Sequence, residues 1–399
     1  MKIALLTYGM RPQNPGGVTV GIIRILEMLS LAKDINVDIF NFADNINNEF
    51  PGFVNTEEIQ SGIFVSSFGN YRVYNITSSL PLLECMRFRT RPKLRELLAN
   101  YEMVIVRTGL LQFANVLPSL KQRVVIIVST RLKWERQSQY KSMSPLKRNI
   151  LRVQYPVLQF QEKRVLKSLR HFSVENKIMQ NWIFSKTNEE PRIWYPVAKA
   201  ELEIYRIDPK LRCNTYFISV GRLNEPRKGW SRLMNAYKVA FEVDRTLPPL
   251  KIIGWGNFNL EDKKTFEALR NNYPIRLYSN VSDEEKMMHL SKAFFFLQAS
   301  FEEGLGYVGI EALSLGIPLI CSDTFGSREY VRPTENGFLI DQGDNFIGRF
   351  SESILATRTV DYESMSKNAL EIHAQSFSFK RSKIDFFKIF PELFSAENE

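Results

Sequence analysis

Short apolar runs alternate with helical stretches along most of the chain, and that alternation narrows the folds open to it. Ile3-Ala4-Leu5-Leu6-Thr7 is apolar without a break, as are Met103 to Val106 and Val124 to Val128. Val37 to Phe42 is a further strand candidate. Strands apolar on both faces and separated by helices belong to parallel sheets covered on both sides. After Gly16-Gly17, apolar residues recur at Val18, Ile22, Ile25, Leu26 and Leu29, which is helical spacing. A long helix is predicted over Pro145 to Leu169, with a short strand at His171 to Val174. The pattern pauses near Trp194-Tyr195-Pro196-Val197, and polar residues follow to Asn214. It then resumes. Strands are predicted at Tyr216–Val220, Leu250–Ile253, Phe294–Leu297 and Leu319–Cys321. Helices follow Trp230 and Val308, and Ser282 with Glu285 fits a capping box before another.

The expected fold is therefore α/β, in two halves. A length of 399 residues suits two domains. The boundaries read as 1–198 and 199–376, with the end of the chain, about 377–399, left over. Ligands of such sheets bind beyond the carboxyl ends of the strands. The loops after Thr7, Val220, Ile253 and Ser300 are thus where chemistry is expected.

Composition removes several classes. The chain is 44% apolar and 24% charged, an ordinary globular mixture. No apolar stretch approaches the ~18 residues of a membrane span, and the first ten residues show no leader pattern. Cys85, Cys213 and Cys321 are odd in number and far apart, which favours a reducing, cytoplasmic setting over a disulfide framework or zinc site. The net charge of +10 is uneven: residues 80–170 hold 19 Lys and Arg against 5 Glu. Such a patch suits an anionic partner: nucleic acid, a lipid surface or a phosphorylated substrate.

The loop Phe301-Glu302-Glu303-Gly304-Leu305-Gly306-Tyr307 leads into a helix that carries Glu311. Its glycines allow close backbone approach to a ligand, and the helix start presents unpaired N–H groups that attract phosphate. Glu303 and Glu311 would repel phosphate; they are suited to accepting hydrogen bonds from sugar hydroxyls on either side of it. The loop Gly221-Arg222-Leu223-Asn224-Glu225-Pro226-Arg227-Lys228-Gly229 places Arg222 and Lys228 around a turn, where they could hold a diphosphate and stabilise its departure. Gly16-Gly17 offers further backbone donors. Neither Gly16-Gly17 nor Gly254-Trp255-Gly256 completes a dinucleotide fingerprint, and no Walker sequence is present.

Gly221-Arg222-Leu223, Lys228-Gly229, Glu303-Gly304-Leu305-Gly306 through Glu311-Ala312, Gly316-Ile317-Pro318 and Asn336-Gly337-Phe338-Leu339-Ile340 together resemble the retaining glycosyltransferase family 4. Glu303 and Glu311 match that family's pair of glutamates eight residues apart, and Gly16-Gly17 adds a match near the start. The resemblance implies a GT-B architecture: two Rossmann-like domains facing a central cleft, the donor held mainly by the second, and the final helices crossing back to the first. Phe377 to Phe394 is the candidate crossing segment. It implies a metal-independent, retaining transfer of sugar from a nucleoside-diphosphate sugar, with no cofactor. Carried over by position, Arg222 and Lys228 bind the diphosphate and Glu303 the transferred sugar. Glu311 binds the ribose. Gly304, Leu305, Gly306 and Tyr307 line the phosphates, with Gly17 from the first domain. Gly254 and Val281 are candidates to lie beside the base. Many relatives carry a histidine after a strand like Val124–Val128; here Ser129-Thr130-Arg131 stands there, and Arg131 or Arg107 is the candidate substitute on the acceptor side.

The implied acceptor is a glycan or lipid-linked sugar in cell-envelope polysaccharide synthesis. Arg87, Arg89, Arg91, Lys93 and Arg95, with Leu82, Leu83 and Phe88 beside them, suggest docking on the inner face of an anionic membrane. Two rival readings share the fold: a non-catalytic sugar-nucleotide binder, and a sugar-nucleotide epimerase, whose acid/base groups are not found. Nothing resembles a nucleic-acid-reading module, so no nucleic-acid partner is expected.

Overall fold

The computed structural model describes residues 1–13, 16–43, 50, 52–60, 62–77, 83–87, 92–117, 120–136, 145–197 and 202–394. Of the basic tract above, Leu82, Phe88, Arg89 and Arg91 lie outside the described residues. The chain forms two units: residues 1–196 with the segment from 383 onward, and residues 197–382.

The first unit holds a nine-stranded sheet. Its strands are β1 (Lys2–Tyr8), β2 (Asn36–Ala43), β3 (Val54–Gln60), β4 (Ile63–Phe68), β5 (Tyr71–Thr77), β6 (Met103–Thr108), β7 (Arg123–Val128), β8 (His171–Val174) and β9 (Arg192–Ile193). They lie in the order β3-β4-β5-β2-β1-β6-β7-β8-β9. The centre is parallel: Leu5 pairs with Ile39 on one side and Ile105 on the other. All six residues of β6 are buried, as expected of a strand covered on both faces. One edge departs from the expectation of a wholly parallel sheet. β4 runs antiparallel to both neighbours. The connections from β3 to β4 and from β4 to β5 are two residues each, too short for a helical crossover.

Helix α1 (Gly17–Leu29) follows β1, and α2 (Pro145–Ser168) precedes β8. Leu151, Leu158, Val165 and Leu166 set the inner face of α2. The last helix, α6 (Phe379–Ile389), ends within this unit, where Phe386 packs at a tilt against Trp194 with ring centroids 5.0 Å apart and Arg123 donates to the Ile389 carbonyl at 3.0 Å.

The second unit holds β10 (Phe217–Arg222), β11 (Leu250–Trp255), β12 (Ile275–Ser279), β13 (Phe295–Gln298), β14 (Leu319–Ser322) and β15 (Gly337–Ile340). All pairings are parallel, in the order β12-β11-β10-β13-β14-β15. Helices α3 (Trp230–Val243), α4 (Asp283–Ser291) and α5 (Tyr307–Ser314) connect them with others. This is the doubly wound order, in which the chain reverses direction of winding between β10 and β13. Phe217, Ile252, Phe295, Ile320 and Phe350 centre its core. The capping box at Ser282 is present, with Ser282 and Glu285 each accepting the other's backbone N–H.

Candidate active site

The switch between β10 and β13 sets the site. In a doubly wound sheet the loops leaving these two strands part in opposite directions and leave a crevice at the carboxyl edge. The loop after β10 carries Arg222 to Gly229; the loop after β13 carries Ser300 to Gly306. The two loops are tied by backbone, Phe301 donating to the Arg227 carbonyl at 2.7 Å. Gly229 ends the first loop at φ +67°, and an added Cβ would lie 2.2 Å from the Ala299 carbonyl oxygen. Only glycine fits there, and its turn aims Lys228 at the second loop.

Glu303 is the focus. It is 4% exposed. Lys228 Nζ and Ser300 Oγ each donate to its Oε1 at 2.7 Å, and Arg227 reaches Oε2 at 3.4 Å. Burial opposes ionisation of this carboxyl. The charges of Lys228 and Arg227, with the hydrogen bonds from Lys228 and Ser300, override it and hold the pKa down to about 2. Glu303 is thus an acceptor-only carboxylate at neutral pH, unsuited to act as an acid. The network continues outward: Arg227 also pairs with Glu225 Oε2 at 2.9 Å, and Arg222 pairs with Oε1 of the same glutamate.

Glu311 lies on α5 and is held by Lys286 of α4, whose Nζ is 3.2 and 3.0 Å from its two carboxylate oxygens. Lys286 is buried. Desolvation would lower its pKa, but Glu311 and Asp283 outweigh that and raise it, so it stays charged. Helix α5 starts after Gly306, at φ +88°, with no side chain capping it. Gly309 donates to the Gly306 carbonyl at 2.9 Å, and the N–H groups ahead of it are the ones an α-helix start turns outward. The buried Tyr330 hydroxyl sits 2.6 Å from where a Cβ of Gly306 would stand, so this turn too needs glycine.

The sequence-predicted residues thus fall into three sets. Glu303 and Lys228 are in direct contact, and Arg222 joins them through Glu225 and Arg227. Gly304, Leu305, Gly306, Tyr307 and Glu311 share the following turn and helix. Gly254 is a packing position: an added Cβ would lie 2.4 Å from Leu223 Cδ2. Val281 is half-buried, just before the cap of α4. Gly17, Arg107 and Arg131 belong to the first unit. Gly17 is exposed as the first residue of α1, which follows β1 beside that sheet's own switch between β1 and β6. Arg107 is 2% exposed and paired with the buried Glu175 at 2.7 Å. Arg131 lies over the rings of Trp134 and Trp182, 5.1 and 4.4 Å from their centroids.

Sequence reasoning missed Arg227, Glu225, Ser300 and Lys286. Lys286 left a signal: it stands beside Met287 and four residues before Leu290, on the buried face of its helix. The rest became visible only once β10 and β13 were neighbours.

Residues 206–370 match the model of the family described as Glycosyl transferases group 1. The second unit is a glycosyl transferases group 1 domain. Among curated relatives, the capsular polysaccharide biosynthesis glycosyltransferase CapM of Staphylococcus aureus is 29% identical over 125 residues. That match spans 31% of this chain and about a third, 32%, of the relative. The whole chain superposes on the sucrose-phosphate synthase of Thermosynechococcus elongatus with a TM-score of 0.72 at 17% identity, covering 99% of each. HepE of Anabaena, solved with UDP-glucose, gives a TM-score of 0.63 at 17% identity over 99% of this chain and 100% of that one. The architecture is GT-B, two Rossmann-like domains in one chain. Among the described residues, no group of three His, Cys, Asp or Glu side chains is placed to hold a metal ion, and no helix is long and apolar enough to cross a membrane.

Proposed function

We propose that this protein is a retaining, metal-independent glycosyltransferase that moves a sugar from a nucleoside-diphosphate sugar to a glycan or lipid-linked acceptor in cell-envelope polysaccharide synthesis. The observation that carries this reading is the buried, ionised Glu303 held by Lys228, Arg227 and Ser300 at the sheet's switch point. A carboxylate with two cations beside it suits a reaction in which a sugar carbon becomes positive while a diphosphate departs negative.

Glu303 accepts hydrogen bonds from hydroxyls of the donor sugar, using the lone pairs its protein partners leave. Lys228 and Arg222 keep side-chain exposures of 16% and 34%. Both can therefore turn from their carboxylate partners to phosphate oxygens. The N–H groups opening α5 receive the phosphates. Glu311, fixed by Lys286, accepts from the ribose hydroxyls, and the turn at Val281 lies towards the base. Gly17, the remaining donor-side candidate, opens α1 of the first unit. The bond from the anomeric carbon to the diphosphate oxygen breaks. The acceptor oxygen bonds to that carbon on the same face and passes its proton to the departing phosphate. Nucleoside diphosphate and the glycosylated acceptor leave. On the acceptor side Arg131 is favoured over Arg107, because Arg107 is committed to Glu175.

The protein acts in the cytoplasm, at the inner face of the membrane, through its basic 80–170 region. The UDP-glucose bound by HepE and the capsular role in the name of CapM support the donor and acceptor classes. A thermal-shift screen over UDP-, GDP- and ADP-sugars tests the donor. One class should raise the melting temperature, since a ligand that binds only the folded state stabilises it. Silence across all three with folded protein rejects the reading. With the donor found, Glu303→Gln should bind it and transfer poorly.

A further inference from the structure

Helix α2 turns an apolar stripe to solvent. Leu146, Val153, Val157 and Phe160 are 73%, 80%, 48% and 66% exposed. Their spacings of 7, 4 and 3 residues place them within roughly 60° of arc at about 100° per residue. No other described helix shows more than two strongly exposed large apolar side chains. Single exposed apolar residues need no explanation; four aligned on one helix do.

The charges on the same face all have one sign. Arg152, Lys163, Arg164 and Lys167 are exposed. Arg164 and Lys167 continue the stripe beyond Phe160, and Arg152 and Lys163 flank it. The helix carries one acid, Glu162, and it points inward: it is 6% exposed and accepts the Leu132 backbone N–H at 3.2 Å. The inward face is already occupied by the unit's own core, through Leu151, Leu158 and Val165.

We propose that this outer face of α2 lies flat on an anionic lipid surface. The proposal rests on the membrane reading of the basic region given above and assigns it to one helix. An interfacial helix needs a ridge of apolar tips to enter the boundary between headgroups and acyl chains, with cations beside it to meet lipid phosphates. The α2 face has both, and nothing on it repels an anionic surface. The orientation would present the first unit to an acceptor held at the membrane.

Co-sedimentation of the full chain with vesicles tests this. Binding is expected to phosphatidylglycerol/phosphatidylcholine vesicles, to weaken with added salt, and to be slight with phosphatidylcholine alone. V153S/V157S/F160S and, separately, R152Q/K163Q/R164Q/K167Q should each lower partitioning by about tenfold or more. Both sets of side chains are exposed, so melting temperature and transfer to a soluble acceptor should stay at wild-type values. Wild-type binding by either variant overturns the assignment to α2 and leaves the basic region as a whole in place. No binding by the wild-type chain overturns both, without touching the sugar-transfer reading, which the nucleotide-sugar screen decides. A dimer that V153S/V157S/F160S converts to monomer gives the face to a second copy and also overturns the proposal.

Discussion

Each unit buries an ion pair near the carboxyl edge of its sheet, and the two pairs are built for different ends. In the first, Arg107 and Glu175 are both 2% exposed. Arg107 also donates to Ser129 Oγ at 2.8 Å and to the Thr108 carbonyl at 3.2 Å. Both partners spring from regular strands or their immediate ends, and neither has room to exchange. In the second, Glu303 is 6% exposed at its side chain, but Lys228 and Arg227 keep 16% and 32%. Both cations sit on one loop, ending at a left-handed glycine. A buried anion with accessible cations can trade protein partners for substrate; a fully buried pair cannot. Burial of one partner only is what separates a site from a brace.

The largest effect should come from breaking the brace. Arg107→Met strands the Glu175 carboxylate, and removing one partner of a buried pair costs about 3–5 kcal/mol. Denaturant melts should show that loss, with transfer activity per folded molecule little changed. Adding Glu175→Leu should recover most of the stability, since a packed apolar pair can replace a buried ion pair. If the single variant melts like wild type, the pair is not the brace described.

Lys228→Met should do the reverse. Arg227 and Ser300 still hold Glu303, so the fold survives with a smaller stability loss. Transfer should fall by about 10²–10³-fold, the scale of losing one preorganised charge partner of the transition state. Steady-state kinetics with the identified donor checks this; a variant losing stability but not kcat would make Lys228 a second brace.

Acidification sharpens the contrast. The pKa of Glu303 is depressed in the fold, from an ordinary value of 4.5 to about 2. Its contribution is therefore complete above about 4.5 and is lost as pH falls towards 2. The span corresponds to roughly 3 kcal/mol. In Lys228→Met the folded pKa rises, so the acid limb should lose amplitude relative to wild type, as pH-dependent melts would show.

How much of this was legible follows from where the information sits. Strand and helix order is written in local periodicity, and β1, β6, β7, β10 and β11 appear as apolar runs in the chain. The edge strands β3, β4 and β5 were not foreseen, because Val54–Gln60 is polar and exposed and Tyr71–Thr77 interleaves polar with apolar residues instead of forming an apolar run. Glu303, Glu311 and Lys228 stood out through the glycines around them. Arg227 stands one residue from Lys228, but nothing local tells that both cations reach one carboxylate 75 and 76 residues away. The pairing of β10 with β13 brings them there. Arg107 reads in sequence as a cation ending an apolar strand; only its position opposite Glu175 reveals it as interior.

The smallest expected effect tests the edge of the site. Ser282 accepts from Glu285 N–H, while Glu285 accepts from Ser282 N–H at 2.8 Å, fixing the turn between Val281 and α4. Glu285 is itself held below the usual carboxylate range by that backbone hydrogen bond. Ser282→Ala removes half of the box and should cost about 1 kcal/mol of stability. Its kinetic effect separates two roles for the turn. If Val281 lies beside the donor base, loosening the turn weakens ground-state and transition-state binding alike, so KM for the donor should rise a few-fold with kcat unchanged. If the turn serves only to aim Lys286 at Glu311, the stability loss should come with no change in KM. Falling kcat at constant KM would fit neither, and would place this turn among the groups that meet the reacting sugar.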